Sequence, residues 1–245
     1  MPPESAQMLL PFPQTPNFDS RDFLAAASNQ EALAWLDADW PDRRLALWGP
    51  DGCGKSHLMH VWAERSGATV LAGRTLRDLD GMPESGGLAL DDADAVAVTS
   101  EPLLLHLLNT ARDRGLCVLL SGHTPPSRWP VRLPDLSSRL RAITVTEVRP
   151  PNEDLLAMLL SRLLSERQLS VAQPVQDWLL TRLPRSPGAL RHAVARLDQV
   201  SLTSGKPITR LLAAWVIRSE GFAGADADEG SVSDIDPSSL PLGFL

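Results

Sequence analysis

An α/β fold, in which a parallel sheet surrounds a phosphate-binding loop and a small all-helical lobe follows, is what this sequence predicts. Three observations carry that prediction. Short apolar runs alternate with helical patterns between residues 44 and 148, the octapeptide GPDGCGKS stands at the first strand-to-helix junction, and beyond Pro150 only helical periodicity remains. Strand and helix in alternation imply a parallel sheet covered on both faces, because a parallel connection must cross the sheet and a helix covers it while crossing.

In chain order, residues 1–16 are a proline-rich leader (Pro2, Pro3, Pro11, Pro13, Pro16) with too little apolar content for a core of its own. Residues 17–150 form the α/β core. Its strands are expected in RLALWG (44–49), ATVLAG (68–73), GLALDD (87–92), LCVLLSG (116–122) and AITVTEV (142–148), each a short apolar run bounded by turn signals. SNQEALAWL, KSHLMHVWAERSG and EPLLLHLLNTARDRG have the apolar spacing of the helices between them. Residues 151–220 hold four helical segments, NEDLLAMLLSRLLSERQ, PVQDWLLTRLP, PGALRHAVARLDQVSLT and ITRLLAAWVIRS, which make the lid lobe. Residues 221–245 are an acidic tail rich in Gly, Ser and Asp, expected to be mobile.

Composition narrows the function classes. A chain of 245 residues buries a core and a second small lobe without staples. No apolar run approaches the ~20 residues of a membrane span, and the first basic residue is Arg21, so neither an anchor nor a signal peptide fits and the reading is cytoplasmic. The two cysteines, Cys53 and Cys117, form no CxxC or Cys/His cluster, which argues against structural zinc. The net charge is −7, and five of the acids lie in the tail without a base, leaving the body near neutral. That body lacks the basic face on which strong direct binding to duplex DNA depends.

GPDGCGKS fits the phosphate-loop pattern in full: Gly49, Pro50, Asp51, Gly52, Cys53, Gly54, Lys55, Ser56, with His57 next on the helix. Backbone N–H groups of a tight loop must face phosphate oxygens, so side chains are absent at Gly52 and Gly54, and the helix N-terminus adds partial positive charge. Lys55 is expected to reach the β-phosphate and any γ-phosphate, and the Ser56 hydroxyl to hold Mg²⁺. The chain has 21 Arg and only two Lys, Lys55 and Lys206, so a compact ammonium at this position is informative. In GLALDDAD, Asp91 ends a strand where a carboxylate can order Mg²⁺ through water, and Asp92 is the candidate to orient attacking water. Asp92 is one methylene shorter than the glutamate common at such positions, so slow intrinsic hydrolysis is expected.

NFDSRDFLAAASNQEAL (17–33) resembles the opening of the AAA+ module of the bacterial initiator DnaA, and LPDLSSRLRAITVTEVRPP (133–151) resembles the stretch that carries that family's arginine finger, at Arg139 here. The resemblance covers roughly residues 15–220, with no DNA-binding helix-turn-helix domain after it and no long N-terminal domain before it. Such a module is similar to the regulatory inactivators of DnaA, the Hda-type proteins, whose leader binds the DNA polymerase sliding clamp. QMLLPF matches that docking peptide, with Gln7 for a polar pocket, Met8 in place of Leu, Leu9 following it, Leu10 and Phe12 as apolar plugs and Pro11 holding the segment extended. The resemblance implies bound ADP (or ATP) with Mg²⁺, a sliding clamp and DnaA as partners, and Arg139 inserted in trans to speed hydrolysis of DnaA-bound ATP. Two positions depart from the family. The strand-four sensor reads Ser121-Gly122-His123, leaving His123 either to meet phosphate or water or to lie in the loop without a role. The lid's sensor arginine falls on Gly188, with Arg191 one turn on as its substitute. The alternative is an ATP-dependent helicase loader or remodelling ATPase, and a small nucleotide kinase is a third reading; self-association is left open.

Overall fold

The computed structural model describes residues 28–222, so the peptide Gln7–Phe12 and the acidic tail lie outside the described residues. Within them, five strands, β1 (Arg44–Trp48), β2 (Thr69–Ala72), β3 (Gly87–Asp91), β4 (Cys117–Gly122) and β5 (Thr144–Glu147), form one parallel sheet in the order β2-β3-β4-β1-β5. The helices α1 (Gln30–Leu36), α2 (Lys55–Ser66), α3 (Ala93–Thr99), α4 (Glu101–Asp113) and α5 (Pro134–Ala142) belong to the sheet, and α6 (Glu153–Glu166), α7 (Gln173–Arg182), α8 (Pro187–Ser204) and α9 (Arg210–Ser219) form the lid. Each strand falls inside its predicted run. α3 and α5 are additional to the helices the periodicity marked.

The sheet has a core on each face, divided by the two-residue period of its strands. Leu88, Leu90, Val118 and Leu120 point to one side, against Leu104, Leu107 and Leu108 of α4 and Leu136 of α5. Leu45, Leu47, Ala89 and Leu119 point to the other, against Leu58, Met59 and Trp62 of α2 and Ala32 of α1. The lid has its own apolar cluster, drawn from Leu156, Leu160, Leu179, Leu190, Leu197 and Val216 among others.

Three of the four lid helices, α6, α8 and α9, start at explicit side-chain caps. Side-chain oxygens of Asn152, Ser186 and Thr209 accept hydrogen bonds from the N–H groups of Leu155, Ala189 and Leu212, each satisfying a donor that has no partner inside its helix. Among the described residues, no helix is long and apolar enough to cross a membrane.

Candidate nucleotide-binding site

The loop from Gly49 to Gly54 joins β1 to α2 at the carboxyl edge of the sheet, where crevices in open α/β sheets bind ligands. Glycine is required at two points by contact as well as by pattern. A Cβ on Gly49 would lie 2.2 Å from the backbone oxygen of Val148, and a Cβ on Gly52, which sits at φ +72°, would lie 2.7 Å from Cβ of Ser186. Gly54, at φ +108°, begins α2 without a side-chain cap, so the first N–H groups of that helix remain available to an anion.

Lys55 opens α2 and is buried; its Nζ donates to the carbonyl oxygens of Gly49 at 2.8 Å and Pro50 at 2.9 Å. This is how a buried ammonium is satisfied in a loop that has folded around it. Burial pushes the Cys53 thiol up, so it stays protonated as a small packing group. Ser56 follows at the second position of the helix. The hydroxyl of Ser28 is buried without a hydrogen-bond partner among the described residues, and its carbonyl accepts from the N–H of Arg149. The residues present therefore fit a nucleotide: glycines leave room for phosphate, a helix N-terminus and an ammonium supply positive charge, and an unpaired polar atom lies beside the strand end that packs on Gly49.

The acids of GLALDDAD separate into three environments. Asp91, at the end of β3, accepts from Ser121 Oγ at 2.5 Å and from the Asp92 N–H at 3.2 Å, so β4 fixes its carboxylate at the edge facing the loop. Asp92 has left-handed backbone angles (φ 50°), and its carboxylate pairs with Arg74 Nε at 2.5 Å. Asp94, in the first turn of α3, accepts from both the backbone N–H and the ring Nδ1 of His123. The Nε2 of His123 lies 2.7 Å from Asp51 Oδ1 in the phosphate loop.

The water-orienting role expected of Asp92 thus meets a carboxylate already held by Arg74, and both ring nitrogens of His123 face carboxylates rather than a phosphate. Asp92, Asp94 and His123 bring ligand atoms within 4.8 Å of one another. With Arg74 on one and Asp51 on another, that group is a charge network and not a metal centre. Arg74 and Asp94 carry no motif signal of their own. Asp94 is the last acid of the quoted stretch, whereas nothing in the sequence ties Arg74 to it.

On the lid side, Arg191 is near enough to His57 that its charge, after burial, drives the His57 pKa down to about 4. The surroundings of Gly188 hold nothing within 4 Å of a built Cβ. Arg139 lies elsewhere. It is in the last turn of α5 and makes two hydrogen bonds to Asp135 at 3.0 and 3.1 Å; burial first, and the charge of Arg139 second, lower the pKa of Arg44, the first residue of β1. Arg44 and the phosphate loop are at opposite ends of β1, roughly 13 Å apart.

No family model matches the sequence. The fold is similar to domain III of the replication initiation protein DnaA from Thermotoga maritima, with TM-score 0.68 and 17% identity over 85% of this chain and 98% of that one. It is also similar to AMPPCP-bound DnaA from Aquifex aeolicus (TM-score 0.58, 14% identity, 73% of this chain and 64% of that one). The Thermotoga maritima RuvB Holliday junction branch migration motor shares it too (TM-score 0.55, 17% identity, 72% and 61%). The fold shared with these proteins is a five-stranded parallel sheet with a phosphate loop after its first strand, followed by a helical lobe.

Proposed function

We propose that this chain is a nucleotide-holding regulator of replication initiation, which keeps ADP and Mg²⁺ in its own site and acts on ATP bound to DnaA. The observation that carries this reading is the position of Arg139, in the last turn of the helix that leads into the amino end of β5, at the edge of the sheet opposite the phosphate loop. A guanidinium there is remote from the nucleotide site of its own chain; its side chain is 19% exposed and held by Asp135, a contact that a neighbour packed against that edge would have to replace. The fold of DnaA domain III supports the same reading, since a module of that shape can take the place of a DnaA subunit beside another.

Within the chain, the glycine loop and Lys55 bind phosphate, Ser56 and Asp91 hold the metal, and the lid closes over the loop through Ser186 and Arg191. The metal neutralises phosphate charge when bound. The groups that hydrolysis would need are occupied, Asp92 by Arg74 and His123 by Asp51 and Asp94, which favours retention over turnover. The leader Gln7, Met8, Leu9, Leu10, Pro11 and Phe12 would dock on the sliding clamp, whose several equivalent pockets raise the effective concentration of Arg139 near DnaA. In the neighbour's site, Arg139 exchanges Asp135 for the charge that builds on the transferring phosphoryl group, an effect worth ~10³ to 10⁵ in rate.

The test is hydrolysis of DnaA-bound ATP with clamp loaded on DNA, with and without this protein, beside Arg139→Ala and the pair Gln7→Ala, Leu10→Ala. The reading requires stimulation by the wild type that both variants lose while still binding ADP. No stimulation, with rapid ATP turnover by this chain alone, would favour the helicase-loader or motor reading that the likeness to RuvB allows.

A further inference from the structure

His123 stands between a fixed support and a loop that must close on its ligand. It follows the last residue of β4, and its backbone N–H and Nδ1 both reach Asp94 Oδ2, at 2.8 and 2.6 Å. The Asp94 side chain is only 16% exposed, so this contact is sheltered. The second contact, Nε2 to Asp51 Oδ1 at 2.7 Å, is different in kind: Asp51 is 87% exposed and belongs to the phosphate loop itself. One arm is anchored in α3 and the sheet, and the other grips the segment that wraps the nucleotide.

We propose that Asp94 and His123 are positioning residues forming a latch on Asp51, and that this chain of three side chains sets how fast a nucleotide leaves the phosphate loop. The proposal rests on the reading of residues 49–56 as the nucleotide site.

The proton inventory decides how the latch opens. An imidazolium has two N–H groups and donates to both carboxylates, so both contacts are attractive. A neutral imidazole has one N–H and one lone pair, and the lone pair repels whichever carboxylate it meets. Asp94 already holds the backbone N–H of His123 and is the more sheltered partner. The remaining proton therefore stays on Nδ1, and the exposed Asp51 contact is lost. No other bond changes.

The charged groups around the ring come from four elements. Asp94 and Asp92 stand at the start of α3, Asp51 is in the loop, Lys55 opens α2, and Arg74 comes from the connection after β2. Arg74 is paired with Asp92 and draws also on Asp51 and Asp94, offsetting part of the acidic charge. Lys55 pulls on Asp51 less than His123 does. The balance still favours the cation: hydrogen bonds to Asp94 first and Asp51 second hold the His123 pKa above its usual 6.5. The sign follows. The latch is closed at and below pH 6.5 and opens as the pH rises through the raised pKa.

The test measures release of a fluorescent ADP analogue from the full chain, chased with excess ADP, between pH 6 and 9. In parallel, the His123 imidazole is titrated by NMR in the nucleotide-free protein. Release by the wild type should speed up with pH by about two- to fivefold, the rate equivalent of an exposed ion pair. Asp51→Asn should release at the fast rate at every pH. Asp94→Asn should release faster near neutrality and bring the His123 midpoint back toward 6.5, whereas Asp94→Glu should restore part of the slow release. Wild-type release that is independent of pH, or Asp51→Asn release as slow as the wild type's, would overturn the latch. Failure of the wild type to bind the analogue at any pH would instead overturn the nucleotide site and the latch's role with it. The imidazole titration would then still report whether the three side chains are joined.

Discussion

A methyl group at Gly49 would lie 2.2 Å from the carbonyl oxygen of Val148, and both sides of that contact are backbone, so neither can turn away. Gly49→Ala should therefore destabilise the protein by about 1–3 kcal/mol and abolish ADP binding, as thermal unfolding and a binding titration would record. The opposite holds at Gly188. It stands in the first turn of α8 with open space around it, so Gly188→Arg should be accommodated, gain about 0.5–1 kcal/mol from helix propensity, and sharpen discrimination of ATP over ADP in competitive binding. His57 gives a pH dependence. Its pKa is about 4 in the folded chain, through burial and the charge of Arg191, against an ordinary 6.5. The unfolded chain therefore takes up the proton first, and stability should fall as pH drops from 6.5 toward 4, by roughly 1–3 kcal/mol. Chemical denaturation in chelator without nucleotide would show this, and His57→Gln should flatten the slope. Lys55, the loop glycines and Asp91 are legible as candidates because phosphate chemistry fixes their spacing in sequence. Arg74, Asp94 and Ser121 are not, because their roles arise from contacts between segments about 18 to 30 residues apart.

At the scale of elements, the strands were legible because each carries a short apolar run that only a sheet covered on both faces can bury. α3 was not. ADAVAVT is only seven residues long, and its five small apolar residues are interrupted by a single acid, Asp94, so no polar stripe announces a helical period. α5 was hidden differently, since PDLSSRLRA reads as a motif and only Leu136 and Leu140 mark its buried face. That helix holds the guanidinium of Arg139 through Asp135, one turn earlier, in the orientation of acid before base that favours such pairs. Asp135→Asn should cost only about 0.3–0.5 kcal/mol. The same change should increase stimulation of DnaA-bound ATP hydrolysis by releasing Arg139, a gain that a purely structural role for the arginine would not produce. In the lid, Leu197 is fully buried in the cluster that α6, α8 and α9 share. Leu197→Ala should cost about 2–5 kcal/mol, lowering the midpoint of lid unfolding in calorimetry.

The described residues form two lobes with separate apolar clusters, brought together where Ser186 at the head of α8 overlies Gly52. The change of periodicity at Pro150 is the sequence signal for a division between them. The contact across it has no such signal, because it depends on a glycine and a serine that no pattern links. A nucleotide seated between loop and lid adds its binding energy to both, worth about 2.7 kcal/mol at a hundredfold excess over Kd. Calorimetry should accordingly show core and lid unfolding at separate temperatures without ADP and in one transition with it. The placement of Arg139 and the phosphate loop at opposite edges of the sheet has a corollary for assembly. A surface that donates a guanidinium and a surface on the opposite edge that holds a nucleotide favour a heterologous joint over a two-fold one. They join head to tail, and such joints add copies indefinitely unless one end refuses the next. Here the nucleotide end offers an incoming arginine a site whose acid is already tied to Arg74 and whose histidine is already spanned. If the proposed function holds, a copy placed at the end of a row of DnaA subunits would activate the neighbour it touches and end the row there.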